Sequence, residues 1–141
     1  AARRPAEAAA PGLLAGVKGG QPALVRAMEL QRRAATVGFD WSDPRAVLQK
    51  IREEADEIEA ALDGGDATEL SAETGDLLFA LVNLARHAKV DPEMALRSTN
   101  AKFERRFGYI ESALAADGRT PADASLDEMD ELWNEAKARE K

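Results

Sequence analysis

Five acidic residues are spaced along the chain so that their carboxylates can converge. Glu53, Glu54 and Glu57 lie within about one turn of a predicted helix, and Glu73 and Asp76 follow as a pair three residues apart. Two helices that carry acids in this way can face each other and surround a space with oxygen atoms. Hard divalent cations such as Mg²⁺ bind oxygen ligands. The spacing therefore predicts a site for a divalent cation.

The apolar residues of the first acidic helix indicate which of its acids face the core. At about 100° per residue, Glu54 lies about +40° around the helix axis from Lys50. Glu57 lies at about −20° and Glu53 at about −60° on the same scale. The apolar stripe lies between about +80° and +160° and consists of Leu48, Ile51, Ala55, Ile58 and Leu62. Glu54 and Glu57 are closer to this stripe, so they are the better candidates for inward-facing ligands.

The second acidic helix repeats the arrangement. Glu73 and Asp76 lie beside its predicted core stripe, and Asn83 and His87 continue the polar edge. The stripe consists of Leu70, Leu77, Leu78, Leu81, Leu84 and Ala85. Four carboxylates in one place repel one another unless a cation lies between them. The alternative is that both acidic faces are simply solvated, which is common in an acidic chain.

The composition excludes several classes of protein. The chain has 141 residues, which is enough for one domain with a sizeable core. Its net charge of −7 argues against a nonspecific nucleic-acid binder and against a protein that binds anionic membranes. No apolar run approaches the roughly 20 residues that a membrane-spanning helix needs. The absence of cysteine excludes disulfides and thiolate zinc sites and leaves the compartment open.

Helical periodicity dominates the chain and predicts an all-α fold, a bundle of about five helices. Residues 1–20 are rich in Ala, Gly and Pro and are predicted to be a flexible linker or tail before a folded domain over 21–141. The predicted helices run from Gln21–Pro22 to near Gly38, from Pro44 to Leu62, from Thr68 to Ala88, from Pro92 to Ala116, and onward from Ser125. Broad apolar stripes and short connections favour antiparallel packing and a homodimer.

The helix ends carry recognisable capping residues. Ser42 or Asp43 is expected to cap the second helix, with Pro44 at its first position. Thr68 is expected to cap the third helix. Ser125 and Glu128 have the spacing of a capping box for the last helix.

Later helices carry cations and aromatic side chains at helical spacing. Lys102 and Arg106 are one turn apart, so both can project from one face and bind phosphate oxygens. An ordinary solvated basic patch explains them equally well. Trp133 and Lys137 have the same spacing, and a core position is the more common explanation for such a tryptophan. The single histidine, His87, is more simply a helix-end residue than a catalyst.

Taken together, several stretches resemble the MazG family of nucleoside triphosphate pyrophosphohydrolases. They are Val37–Trp41, Lys50–Ile58, Glu73–Phe79, Val82–His87 and Asn100–Phe107. The resemblance covers about residues 21–137 and implies a dimer of bundled helices that hydrolyses a nucleoside triphosphate to the monophosphate and pyrophosphate. Family members often carry two such domains in tandem. This chain is similar to the second, with residues 1–20 resembling the inter-domain segment, so we expect it to be part of a longer protein.

The resemblance also implies roles for individual residues. It makes Mg²⁺ the expected cofactor, with Mn²⁺ as the alternative ion, and the expected ligands are Glu54, Glu57, Glu73 and Asp76. The positions that match nucleotide-binding positions are Lys50, Lys102, Arg106, Trp133 and Lys137. Glu53 joins Glu54 and Glu57 as a candidate catalytic carboxylate. For Glu53, acceptance of a proton from water and binding of a further metal ion both stay open.

Two other classes of protein compete with this interpretation. A carboxylate-bridged di-iron bundle also uses acids on helices, but it favours Glu-x-x-His pairs, and Leu84 stands three residues before His87. A catalytically silent dimerisation module that binds metal is the other alternative.

The expected partners are a nucleoside triphosphate and a second copy of the chain, with no nucleic acid and no membrane, and the expected location is cytoplasmic. Base, sugar and the attacked phosphorus are left open.

Overall fold

The computed structural model describes residues 12–41 and 43–140. In these residues the chain forms five α-helices, one short 3₁₀ turn and no strand, which confirms the all-α prediction. The helices are α1 (Ala23–Ala35), α2 (Pro44–Gly64), α3 (Ala67–His87), α4 (Pro92–Ala115) and α5 (Leu126–Arg139), with the 3₁₀ turn at Pro121–Asp123. None of the described helices combines the length and apolar character that a membrane crossing requires.

Local side-chain contacts explain where the two acidic helices begin. Asp43 caps α2 by accepting a hydrogen bond from the Arg45 backbone N–H at 2.9 Å, while Ser42, the other predicted cap, lies outside the described residues. Asp66, and not Thr68, caps α3, because its carboxylate accepts from the Thr68 and Glu69 backbone N–H groups. A carboxylate at a helix N-terminus also interacts favourably with the helix dipole, which a hydroxyl cannot do.

The predicted tail, residues 1–20, is described only from Gly12 onward. This segment consists of turns, and Val17 is buried. The Leu13 carbonyl accepts a hydrogen bond from Arg33 Nη1 at 3.4 Å, so the segment also contacts α1. Within this segment Val17 is therefore covered, whereas Leu13 and Leu14 stay exposed.

The chain divides into two compact units, the first ending at Glu93 and the second beginning at Met94. In the first unit α2 and α3 form the more extensive helix pair, and α1 packs against α3. The connection between α2 and α3 is short and turns at Gly65, whose φ of 72° lies in the left-handed region that favours glycine. A short connection makes neighbouring helices antiparallel, so the acidic segments of α2 and α3 are brought side by side.

The buried face of α2 differs from the predicted one. Its buried residues are Val47, Glu54 and Ala61, which recur every seven residues and therefore share one side of the helix. On the angular scale used above this side lies at about +20° to +60°, next to the predicted stripe. The predicted stripe is only partly covered, because the strong helix contacts of the first unit are α2 with α3 and α1 with α3. Leu62 is 62% exposed.

The same correction applies to α3. Its buried residues are Ala80, Val82 and Asn83, whereas Leu78 and Leu81, both predicted core positions, are 50% and 43% exposed. The most buried residues of α2 and α3 are therefore valine, alanine or polar, and several leucines of both helices remain exposed. The arrangement places an acid, Glu54, at the centre of the buried side of α2.

The second unit contains most of α4, the 3₁₀ turn and α5. Its buried residues are Ile110, Leu114 and Ala136. Arg119 binds Glu128 through two nitrogen–oxygen contacts of 2.6 and 2.7 Å. Ser125 caps α5 by accepting from the Glu128 backbone N–H at 3.1 Å, so the hydroxyl half of the predicted capping box is present. The Glu128 carboxylate binds Arg119 instead of closing the box, because a guanidinium is the stronger donor.

Candidate functional site

Three carboxylates of the first unit come together between α2 and α3. Glu54, Glu57 and Glu73 each offer an oxygen atom, and these atoms all lie within 4.8 Å of one another. Glu54 is 3% exposed, Glu73 is partly buried and Glu57 is exposed, so the cluster opens toward solvent on one side. The structure thus brings together three of the four predicted metal ligands.

Two oxygen atoms of this cluster have unused hydrogen-bonding capacity. Glu54 Oε2 and Glu73 Oε2 are both buried, and neither has a hydrogen-bond partner among the described residues. A buried carboxylate oxygen without a partner is costly, because it has lost water and gained nothing in exchange. A cation is the natural partner for such atoms, so this donor set fits a hard divalent ion.

Lys50 partly compensates the cluster. Its Nζ lies 2.9 Å from Glu54 Oε1, one helical turn away on α2. This ammonium holds the pKa of Glu54 below its ordinary value, although burial of the side chain acts in the opposite direction. The pKa of Lys50 is raised by the same contact. Lys50 was predicted to bind nucleotide, and in the structure it contacts one of the clustered carboxylates.

Glu73 is the carboxyl group of the cluster whose pKa responds most strongly to the surrounding negative charge. Its contact with Glu57, its partial burial and its contact with Glu54 together raise the pKa of Glu73 to about 7. A carboxyl group with a pKa near neutrality holds a proton about half of the time at pH 7. The three carboxylates therefore cannot all be ionised together without cost unless a positive charge joins them.

Asp76 and Glu53 stand apart from the three clustered carboxylates. Asp76 lies one turn after Glu73 on α3 and lines a hollow of about 270 Å³ that Lys50 and Glu54 also line. It faces the same region, but its oxygens are not part of the group within 4.8 Å. Glu53 is exposed on α2 and is not one of the three, in agreement with its predicted outward angle.

A larger and mostly apolar hollow adjoins the acidic one. It measures about 390 Å³, and Trp41 and Phe79 line both hollows. The other residues that line the apolar hollow belong to α1, to the segments that flank α1, and to the C-terminal half of α3. They include Leu14, Leu30, Phe39 and Asn83. An apolar space with a few polar groups, next to clustered carboxylates, has the general character of a small-molecule site.

Arg86 organises the polar wall of this apolar hollow. Its guanidinium donates to both Asp40 carboxylate oxygens, at 2.5 and 3.1 Å, and to Asn83 Oδ1 at 2.5 Å. Arg86 Nε donates to Gln31 Oε1 at 3.4 Å, and His87 Nε2 lies 3.0 Å from Asp40 Oδ1. The Arg86 hydrogen bond is the main reason that the pKa of Asp40 falls to about 2. Sequence reasoning missed this network and treated His87 as a helix-end residue.

The predicted phosphate-binding arginine, Arg106, lies in the second unit and already has partners. Its Nε and Nη2 donate to Glu140 Oε1 at 3.1 and 2.9 Å. The guanidinium also lies over the Trp133 ring, 5.2 Å from the ring centroid. Phe103 packs against Trp133 with ring centroids 5.6 Å apart. Phe103 is 56% exposed, so this aromatic group reaches the surface of the described chain.

The other predicted nucleotide-binding residues, Lys102 and Lys137, also belong to the second unit. Lys102 is partly buried on α4, and Lys137 is exposed on α5, one turn after Trp133. Of these predicted residues, Arg106 and Trp133 are in direct contact. The Glu140 contact was not predicted, although its acid type and position at the end of α5 could have suggested a partner for a cation.

Comparison with known proteins shows that the sequence is similar to the MazG family. The model of the MazG nucleotide pyrophosphohydrolase domain matches residues 42–109, a segment that includes all the clustered acids as well as Lys102 and Arg106. The chain is 46% identical over 121 residues to the nucleoside triphosphate pyrophosphohydrolase of Escherichia coli K12, which covers 84% of this chain and 46% of that protein.

Two further relatives also match the sequence. The nucleoside triphosphate pyrophosphohydrolase/pyrophosphatase MazG of Thermotoga maritima is 45% identical over 116 residues, covering 82% of this chain and 44% of that protein. The uncharacterized protein YabN of Bacillus subtilis is 58% identical over 72 residues, covering 51% of this chain and 15% of that protein. The chain thus spans less than half the length of the curated relatives it matches.

Proposed function

The chain carries a MazG-family domain, and we propose that it hydrolyses nucleoside triphosphates to nucleoside monophosphate and pyrophosphate with Mg²⁺. The observation that carries the proposal is the cluster of Glu54, Glu57 and Glu73, with two buried oxygens that lack partners. The names of the Escherichia coli and Thermotoga maritima relatives give this class of reaction for those proteins.

The carboxylate cluster fits a hard divalent ion, and the residues proposed to hold it are Glu54, Glu57, Glu73 and Asp76. Mn²⁺ prefers similar oxygen ligands and is the alternative ion. When bound, such an ion neutralises charge on the triphosphate and lowers the pKa of a water molecule. Clustered acids that are short of positive charge bind a dication favourably, because it replaces their mutual repulsion with attraction.

The chain's own residues prepare this site. Lys50 fixes Glu54 through their 2.9 Å contact and leaves Oε2 of Glu54 available. Glu53, exposed on the neighbouring side of α2, is proposed either to accept a proton from the attacking water or to bind a further ion. Phosphoryl transfer depends mainly on positioning and charge neutralisation, so no covalent catalyst is required.

The second unit supplies the proposed contacts to the nucleotide. Lys102, Arg106 and Lys137 are its candidate phosphate ligands, and Trp133 is a flat surface beside Arg106. Because the chain as a whole carries a charge of −7, local cations such as Arg106 are needed to hold a polyanionic substrate. Arg106 must exchange Glu140 for phosphate oxygens when it does so.

A homodimer is part of the proposal. Four leucines of the first unit, two on α2 and two on α3, are at least 37% exposed; they are Leu48, Leu62, Leu78 and Leu81. Apolar side chains grouped on packed helices are a common mark of an interface, and a second copy of the chain offers the same surface. We further propose a cytoplasmic location, which suits an enzyme of the nucleotide pool.

A catalytically silent metal-binding dimerisation module is the second candidate, and the same exposed leucines favour it. The two candidates differ in turnover. Purified protein is incubated with ATP, GTP, CTP, UTP and the corresponding deoxynucleotides in the presence of Mg²⁺, and pyrophosphate release is measured. Release of pyrophosphate together with an equal amount of monophosphate supports the proposed enzymatic activity. Binding of Mg²⁺ by calorimetry without turnover of any nucleotide supports the silent module and overturns the proposed activity.

A further inference from the structure

The apolar hollow lined by Trp41 and Phe79 is the feature that the clustered acids do not explain. We propose that it receives the nucleobase of the substrate, with the ring against Trp41 and Phe79 and the Asn83 amide donating to a ring acceptor. The inference rests on the proposed function, and it assigns base recognition to Trp41 of the first unit and not to Trp133 of the second.

Position supports this assignment. Trp41 and Phe79 line the apolar hollow and also the acidic hollow that contains Glu54 and Asp76. A nucleotide has the same order of parts, because an apolar, planar base is joined through a sugar to an anionic chain. The volume of about 390 Å³ lies within the range of small-molecule pockets, roughly 300–1,000 Å³.

The exposed aromatic rings support a planar ligand. Phe39, Trp41 and Phe79 line the hollow and are 80%, 42% and 44% exposed. Aromatic side chains left in water are unfavourable, and a base that stacks on them removes apolar surface from water without requiring a particular sequence of polar groups. Every nucleobase has such a flat face.

Asn83 supplies the independent polar observation. It is 1% exposed, it lines the hollow, and its Nδ2 has no hydrogen-bond partner among the described residues. Its Oδ1 accepts from Arg86, which fixes the orientation of the amide and leaves the NH₂ group as the unused donor. A buried donor without an acceptor is costly, and ring carbonyls and ring nitrogens of nucleobases are suitable acceptors.

Arg86 makes this donor rigid. Its contacts to Asp40 and Gln31, together with the hydrogen bond from Gln31 Nε2 to the Phe79 carbonyl at 3.0 Å, tie α1, the loop after it and α3 into one wall. A donor held in place loses little entropy when a ligand binds, which favours discrimination between bases.

The test uses binding and not turnover, so that its failure is distinct from failure of the proposed activity. The chain has two tryptophans, Trp41 and Trp133, and each is studied alone by making Trp133→Phe and Trp41→Phe. Tryptophan fluorescence is followed during titration with AMP, GMP, CMP and UMP, and ribose 5-phosphate serves as the matched ligand without a base.

We expect the monophosphates, but not ribose 5-phosphate, to quench Trp41 fluorescence in the Trp133→Phe protein. Asn83→Asp keeps an oxygen for Arg86 and removes the donor. Calorimetry, which detects ligands that do not quench, should show binding of at least one monophosphate weakened about ten-fold and ribose 5-phosphate binding unchanged. Circular dichroism verifies that each variant folds.

Two results overturn the inference. Base-dependent quenching of Trp133 in the Trp41→Phe protein, without quenching of Trp41 in the Trp133→Phe protein, assigns the base to the second unit. Equal weakening of monophosphates and ribose 5-phosphate by Asn83→Asp shows that the hollow does not read the base. If the wild-type protein releases pyrophosphate while either result is obtained, the inference fails and the proposed function stands.

Discussion

The acids of the first unit and the cations of the second differ in how well their charges are compensated. Glu54, Glu57 and Glu73 are close together, and the only cation in contact with them in the described chain is Lys50. In the second unit, Arg106 is already paired with Glu140. The first cluster has buried oxygens without a hydrogen-bond partner, whereas Arg106 must give up Glu140 before it can bind another anion.

This difference helps to separate a binding site from a structural contact. A compensated ion pair, such as Arg119 with Glu128, is explained by holding a loop to a helix. Crowded carboxylates with unpartnered buried oxygens destabilise the fold that contains them, so they indicate a function that repays the cost when a ligand is bound. Substitutions in the two units should therefore have different consequences.

The largest effect is expected from removal of a proposed metal ligand. Glu57→Ala or Asp76→Ala should lower pyrophosphate release by at least about a hundred-fold, because metal-assisted charge neutralisation contributes several kcal/mol to such reactions. Glu59→Ala, an exposed acid of the same helix outside the cluster, is the matched control and should retain activity. Near-normal turnover in the Glu57 and Asp76 variants, with helical circular dichroism intact, would show that these two acids are not part of the active site.

The same Glu57 variant sharpens the comparison through stability. Without metal, Glu57→Ala should unfold at a higher temperature than the wild type in the presence of a chelator, because one of three mutually repelling carboxylates is gone. With Mg²⁺ the order should reverse, since the wild type gains stability from binding. If Glu57→Ala instead melts at a lower temperature than the wild type in chelator, the three carboxylates do not repel one another as proposed.

The next largest effect is expected at Arg106. A charge-assisted contact contributes about 1.5–3 kcal/mol, so Arg106→Ala should lower kcat/KM by about ten- to a hundred-fold. Arg106→Lys should recover only part of the loss, because lysine lacks the planar fork. Arg105 also contacts Glu140, but it is 59% exposed and no cation–π contact with Trp133 is observed for it, so Arg105→Ala is the matched control with a small effect. Full kcat/KM in Arg106→Ala would assign Arg106 to the fold alone.

A further prediction concerns Asp40, an acid of the first unit whose charge is compensated by Arg86. Arg86 first and His87 second lower the pKa of Asp40 to about 2, below the ordinary 3.8. A group with a lowered folded-state pKa stabilises the protein above its unfolded pKa and loses this contribution as the pH falls through its folded pKa. Because Asp40 is partly exposed and solvent screens its contacts, Asp40→Asn should cost about 1 kcal/mol at pH 6 and almost nothing near pH 2. Urea unfolding across this range measures the difference, and a cost independent of pH would contradict it.

A smaller effect is expected at Glu140. Exposed ion pairs contribute about 0.2–1 kcal/mol, so releasing Arg106 by Glu140→Gln should lower KM by no more than about five-fold. The turnover number should stay the same, because the substitution changes only the competition for Arg106. A raised KM would indicate that Glu140 orients Arg106 for the substrate instead of competing with it.

The smallest effect concerns backbone strain at the end of α3. Lys89 has a φ of 64°, and the Val90 N–H bonds to the Ala85 carbonyl at 2.8 Å, a pattern that usually places glycine at this position. Lys89→Gly should raise the free energy of unfolding by about 0.5–1 kcal/mol. An unchanged or lowered stability, measured by urea unfolding, would show that the lysine side chain compensates the strain.

The sequence alone determined the helices and the spacing of the acids. Capping residues, prolines at first turns and apolar recurrence at three and four residues are local signals, and they placed the helix boundaries within a few residues of those observed. The same locality placed Glu54, Glu57 and Glu73 on neighbouring helices, because a short turn at Gly65 leaves few ways to arrange α2 and α3.

Tertiary structure decided which surfaces of those helices are used. Periodicity assigned the core side of α2 to the apolar stripe from Leu48 to Leu62, yet the most buried side runs through Val47, Glu54 and Ala61, because α3 packs against that side. The hydrogen bonds of Arg86 to Asp40 and of Arg106 to Glu140 join residues 46 and 34 positions apart. No local signal encodes such pairs, because each partner's choice depends on the packing that brings the two segments together.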